Sequence, residues 1–150
     1  MPITPENRKR YPDDWKAIRE SILARAKYCC EWCGVPNYAV GYRDADGRFV
    51  PSQGNGPLDA LGRGKTWPNE SILTTYAEAK GHADDFNFND ADHHWIVIVL
   101  TIAHVVDDSP ENCDPENLAA LCQRCHNKHD APARAKRRKE KRDKRQPTLL

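Results

Sequence analysis

Between Tyr11 and Lys27 the apolar residues Trp15, Ile18, Ile22 and Ala26 recur three and four positions apart, the spacing of one helix face. The pattern predicts a first helix over this stretch. Pro12 suits a first helical position, and Asp13 and Asp14 complement the positive end of the helix dipole. The helix delivers the chain to Cys29-Cys-Glu-Trp-Cys-Gly34, a tight turn in which two thiols face one point. From Val35 to Asp92 periodicity gives way to breakers, among them Gly54, Gly56, Pro57, Gly62, Gly64 and Pro68. One short helix is expected there, with Asn69 as its cap, Ile72, Leu73 and Tyr76 on one face and Gly81 at its end.

The run Trp95 to Ile102 is short and rich in β-branched residues, and predicts one buried strand that delivers His104 at its end. A polar loop with Asp107, Asp108, Ser109 and Pro110 follows. Asp114 and Pro115 then suit the cap and first position of a helical turn. Cys122-Gln-Arg-Cys125 repeats the thiol turn, and His126 opens a last helix that continues into a basic arm. The expected class is α+β: a small core from the two chain ends, interrupted by a loop-rich insertion over about residues 35–94.

Composition narrows this further. A chain of 150 residues with only 39% hydrophobic residues and 11 prolines supports one modest core. The longest apolar run, Trp95 to Ala103, is about half a membrane span, and the segment with Glu6, Arg8, Lys9 and Arg10 is no secretory signal. A membrane or exported protein is therefore not expected, and a cytoplasmic one is. There thiols stay reduced, so six cysteines favour metal over disulfides.

Charge is balanced overall, at 23 Lys+Arg against 22 Asp+Glu, but it is unevenly placed. Residues 134–145 read RAKRRKEKRDKR, nine basic and two acidic, which leaves the rest of the chain mildly acidic. Such a stretch has the composition of a solvated helix tail, and equally of an arm for a polyanion such as DNA. The nucleic-acid-binding candidates are Arg134, Lys136, Arg137, Arg138, Lys139, Lys141 and Arg142. The domain division expected is 1–133 for the folded body and 134–150 for the arm.

The firmest chemical signal is the pair Cys30-x-x-Cys33 and Cys122-x-x-Cys125. Tetrahedral Zn2+ takes four thiolates, and a two-residue spacer lets both sulfurs of one turn reach one ion. The expected site is structural, pinning the front of the chain to its back. Cys29 could compete with Cys30, although only Cys30 gives the two-residue spacer, and Cys113 reads as an ordinary buried thiol. His93 and His94 sit beside Asp90 and Asp92, but neighbouring strand residues point to opposite faces, so they read as surface polar residues.

The order strand, His104, loop, Asn117 and Cys-x-x-Cys-His126 entering a helix, in LTIAHVVDDSPENCDPENLAALCQRCHNKHD with YPDDWKAIRESILARAKYCCEWCG upstream, resembles the HNH endonuclease family. The resemblance covers residues 8–34 and 95–130. It implies a ββα-metal core that cleaves DNA phosphodiester bonds to 5′-phosphate and 3′-hydroxyl ends with a divalent cation, Mg2+ or Mn2+. By position it makes His104 the general base, Asn117 the residue that orients it or supports the metal loop, and His126 a metal ligand. Members commonly carry an acidic or histidine ligand just before the base histidine, where this chain has Ala103. Asp130, His129 and Asp107 are the candidate substitutes, with Asp108 beside them; positions 129 and 130 share a helix face with 126. Two other readings follow from the same residues: a zinc-containing nucleic-acid-binding module whose catalytic centre has decayed, and an assembly accessory.

Overall fold

The computed structural model describes residues 5–52 and 75–145. In chain order the elements are α1 (Pro5–Arg8), α2 (Trp15–Arg25), β1 (Val40–Arg43), β2 (Phe49–Pro51), α3 (Tyr76–Asn89), β3 (Ile96–Val97), β4 (Thr101–His104), a 3-10 turn (Pro115–Asn117), β5 (Leu118–Leu121) and α4 (Gln123–Arg145). The class is α+β. Among the described residues no helix is long and apolar enough to cross a membrane.

The first helix is shorter than its periodicity predicts. Pro12 lies in the turn before it, where its carbonyl accepts from Trp15 N, and Lys27 and Tyr28 end it by taking positive φ. Asp14 caps it without a side-chain hydrogen bond. Of the spaced face, Ile22 is buried and Trp15, Ile18 and Ala26 are partly buried against the core, while Leu23, outside that set, is buried beside Ile22.

The run Trp95 to Ile102 is two strands rather than one. β3 pairs with β1, whereas β4 pairs with β5 in a separate sheet. The intervening residues switch sheets while keeping their backbone partners: Ile98 N donates to Ala39 O, Tyr38 N to Ile98 O, and Leu100 N to Asn37 Oδ1. A uniformly apolar run cannot signal such a switch, because Ile98 and Leu100 are fully buried on either side of it.

Within the stretch from Val35 to Asp92, the described residues 35–52 and 75–92 carry two strands and a helix, and the breakers Gly54 to Pro68 lie outside the described residues. β1 and β2 form a hairpin with Gly41 opposite Pro51 and Arg43 opposite Phe49. Asp44 closes the turn, accepting from Gly47 N and Arg48 N, and Gly47 supplies the left-handed residue at φ 75°. A Cβ at Gly41 would stand 2.3 Å from Val50 O and 2.6 Å from the Phe49 ring, so this position admits only glycine. The expected helix is present but shifted. Thr75 and Glu78 form a capping box at its start, and Gly81 lies inside it rather than at its end. Asn69, Ile72 and Leu73 lie outside the described residues.

β4 and β5 are antiparallel, with Thr101 opposite Leu121 and His104 opposite Leu118. All four residues of β5, Leu-Ala-Ala-Leu, are buried. α2 packs on β5, and α4 packs on both strands, so both faces are covered and no alternation survives. The main core joins Ile22 and Leu23 of α2, Leu100 and Ala103, the whole of β5, and Cys30 and Cys122. A smaller cluster sets Val40 and Val97 against Ala79 and Ala83 of α3.

The last helix begins at Gln123, so His126 lies within its first turn. It spans 23 residues, about 35 Å at the standard rise, and passes through Pro132. Asp114 precedes the 3-10 turn as expected, without a side-chain cap bond. Cys113 is only partly buried and donates to Pro110 O.

Candidate functional site

Cys30, Cys33, Cys122 and Cys125 come together with every sulfur within 4.8 Å of the others. Each turn is held by its own backbone bonds. Cys30 N donates to Val35 O and Gly34 N to Cys30 O, with Gly34 in the left-handed region that releases the turn. The second turn is the start of α4, where His126 N donates to Cys122 O. Glu31 clamps the first turn to β5: its amide donates to Ala120 O at 2.9 Å, and its carboxylate accepts from Ala120 N at 2.7 Å. Arg25 anchors that carboxylate from α2 and donates to the carbonyls of Pro115 and Leu118.

The arrangement fits a tetrahedral ion. Zn–S bonds of about 2.3 Å place sulfurs about 3.8 Å apart, and Cys33 Sγ and Cys122 Sγ stand 3.7 Å apart. The cluster is therefore compatible with a structural zinc site. The thiols share protons: a hydrogen bond from the Cys122 thiol pulls Cys30 down to about 4, while that same bond and burial push Cys122 up. Burial foremost raises Cys125 to about 11. Arg43, delivered by the β1–β2 hairpin, lies over the Phe49 ring and points Nη2 at Cys122 Sγ at 3.8 Å. Its charge offsets part of the negative charge that four thiolates bring. The sequence pattern missed this residue, although the Asp46-Gly47 pair marks the hairpin that carries it. Cys29 lies outside the cluster and donates to Lys27 O.

Beside this centre lies an open cleft of about 560 Å³, walled by β4 and α4 and by residues at the start of α2. His104, at the end of β4, and His126, in the first turn of α4, both line it. His129, Asp130, Arg134 and Arg137 follow along α4, and Tyr11, Trp15 and Arg19 face them. Trp15 stacks on the His104 ring at 16°, and Tyr11 meets it edge-on. Nε2 of His104 is buried without a hydrogen-bond partner. Burial lowers the imidazole below its ordinary 6.5, against the opposing pull of Asp107 and Asp108. His126 is likewise lowered by burial, against the pull of Asp130. Thr101 Oγ1 holds His126 Nδ1 at 2.7 Å and leaves Nε2 facing Asp130 Oδ2 at 3.7 Å. Both rings are thus kept neutral at neutral pH.

Asn117 is 4% exposed and organises the loop that leaves His104. Its Oδ1 accepts from Val106 N and Asp107 N, and its Nδ2 donates to Asp107 O and Asn112 O. Val105 N donates to its carbonyl. Asp107 is engaged within that loop, accepting from Ser109 N and Asn112 Nδ2, while Asp108 lines the cleft. Burial leaves Ala103, 2% exposed, as part of the core.

The structure thus gathers His104, His126, His129 and Asp130 at one cleft and places Asn117 behind its loop. Of the basic candidates, Arg134 and Arg137 line the cleft; Lys136, Arg138, Lys139, Lys141 and Arg142 are exposed along α4. Arg134 also reaches back to Asn127 and Asp130. Arg19, a cleft cation without a partner among the described residues, had no signal beyond its place on α2. His93 pairs with Asp90 and packs on Tyr42, away from the cleft. Compared with protein-family models, with curated proteins and with solved structures, the chain matches none. What the fold and site define is an α+β protein with a four-cysteine cluster compatible with structural zinc.

Proposed function

We propose that this chain is a metal-dependent HNH endonuclease that hydrolyses DNA phosphodiester bonds to 5′-phosphate and 3′-hydroxyl ends. The observation that carries the reading is the convergence of two imidazoles, His104 and His126, on one cleft that Arg19, Arg134 and Arg137 also line. A β-β-α order, with the zinc-type cluster at the β5–α4 junction, supports the same reading.

His104 accepts the proton of the attacking water, which its lowered pKa allows at neutral pH. The water oxygen bonds to phosphorus as the bond to the 3′ oxygen breaks, and that oxygen takes a proton from solvent water to leave as the 3′-hydroxyl. Arg19 and Arg137 neutralise phosphate charge, and Asn117 fixes the loop behind the base. His126 Nε2 and Asp130 Oδ2, 3.7 Å apart, are the residues that would hold Mg2+ or Mn2+, with other positions left to water and phosphate. When bound, that cation stabilises charge on the scissile phosphate and departing oxygen.

Buried Ala103 and the Asp130–Arg134 contact at 3.7 Å favour a second reading, a zinc-containing nucleic-acid-binding module that no longer cuts. A plasmid-nicking assay with added Mg2+ or Mn2+, run beside a chelator control, separates the two. Metal-dependent nicks support the nuclease. Tight DNA binding without nicks under either metal supports the binding module.

A further inference from the structure

Trp32 is the large apolar side chain that the first thiol turn leaves in solvent, 51% exposed. Its setting is rigid. Glu31, just before it, is bonded to β5 in both directions, and Cys33, just after it, belongs to the thiol cluster. An indole held this way loses little freedom when a flat partner lies on it. It stands beside the cleft rather than in its lining: its ring centre is 5.8 Å from that of His129, edge to face, and His129 lines the cleft with His104 and His126. Cations border the same path, with Arg134 and Arg137 on α4 and Arg19 opposite.

We propose that Trp32 is a stacking platform for an unpaired base of the DNA strand whose phosphates occupy the cleft. The inference rests on the nucleic-acid reading of the cleft and deepens it by naming the substrate's local state, a single-stranded or opened segment. The chemistry is a π-face with a cationic track for the backbone, the combination by which single strands are held without a base code. Paired bases in a duplex hide their faces in the stack and gain little from an exposed indole. His129 packs against the indole in a T-shaped contact, so a histidine without a required ligand role still has a use here.

The test is equilibrium binding of the zinc-loaded full chain to a labelled oligothymidine and to a duplex of equal length, at fixed salt without added Mg2+ or Mn2+. Trp32→Ala should weaken single-strand binding roughly five- to hundredfold, the range expected for loss of one stacked base. Duplex binding should change less than about twofold, and Trp32→Phe should retain most of the single-strand affinity. Equal losses on both DNAs, or no loss on the single strand, would overturn the proposal. Zinc content and circular dichroism of each variant separate a folding defect, and Trp32→Phe carries the test if Trp32→Ala misfolds: single-strand affinity lost with the ring conserved would also overturn it. Nicking by the unchanged protein is scored separately, so a failed platform leaves the nuclease reading standing, and absent nicking leaves the platform standing.

Discussion

Cys33 and Cys122 are separated by 89 positions in the chain, yet their sulfurs stand 3.7 Å apart. A closure of that length is entropically costly without a cross-link, and a low-hydrophobicity chain has little core with which to offset it. Zinc bound at the cluster would then contribute directly to folding. We predict one zinc per chain, lost or strongly weakened in Cys122→Ser together with a lowered melting temperature. Cys29→Ser should keep both, because Cys29 lies outside the cluster. Elemental analysis with thermal melts checks this, and equal zinc loss in the two variants would contradict the ligand set.

Asn117 makes four side-chain hydrogen bonds from a buried position. Asn117→Ala leaves two amides and two carbonyls of the loop without their partner, and should cost about 2–4 kcal/mol in unfolding free energy. Denaturant titration reads that loss. Since the loop begins at His104, nicking should fall further than the loss of folded protein explains.

The pH dependence follows from the direction of the His104 shift. Burial favours the neutral ring, so its folded pKa lies below 6.5. A base that works when neutral is lost only as pH falls through that lowered value. The nicking rate should therefore fall only modestly as pH drops from neutral to 6.5, with the steep decline below it. His126 is shifted the same way, so the two protonations reinforce one acid limb. Each ring is then still more than half neutral at pH 6.5, so a rate that has already fallen below a quarter at or above 6.5 would be inconsistent with buried neutral imidazoles.

The exposed half of α4 should act on binding rather than chemistry. Replacing Lys136, Arg138, Lys139, Lys141 and Arg142 by Gln should weaken DNA binding and flatten its dependence on salt. The log–log slope should shrink by up to about 0.9 for each phosphate that the variant no longer neutralises. A salt series on the variant with an unchanged slope would show that the arm is only a solvated helix tail.

How much of this the sequence disclosed depended on whether the signal was local. Both thiol turns were legible because a two-residue spacer is itself the geometry that brings two sulfurs to one ion. The placement of His104 at a strand end was equally local. β5 was not legible: Leu-Ala-Ala-Leu favours helices, and it is a strand because α2 and α4 cover both its faces. The division of Trp95 to Ile102 between two sheets depends on Asn37 and Ala39, far away in the chain. Arg43 and Arg19 reach their sites only through tertiary packing, the first from a hairpin and the second from the far wall of the cleft.

The most direct measurement is conversion of supercoiled plasmid to nicked circles by zinc-loaded protein with added Mg2+ or Mn2+, comparing the unchanged chain with His104→Ala. The account predicts metal-dependent nicking by the former, and at least a hundredfold slower nicking by the variant, about the smallest contribution of a positioned general base, with zinc content and melting behaviour retained. Equal nicking by both proteins, or none by the unchanged chain under either metal, would contradict it.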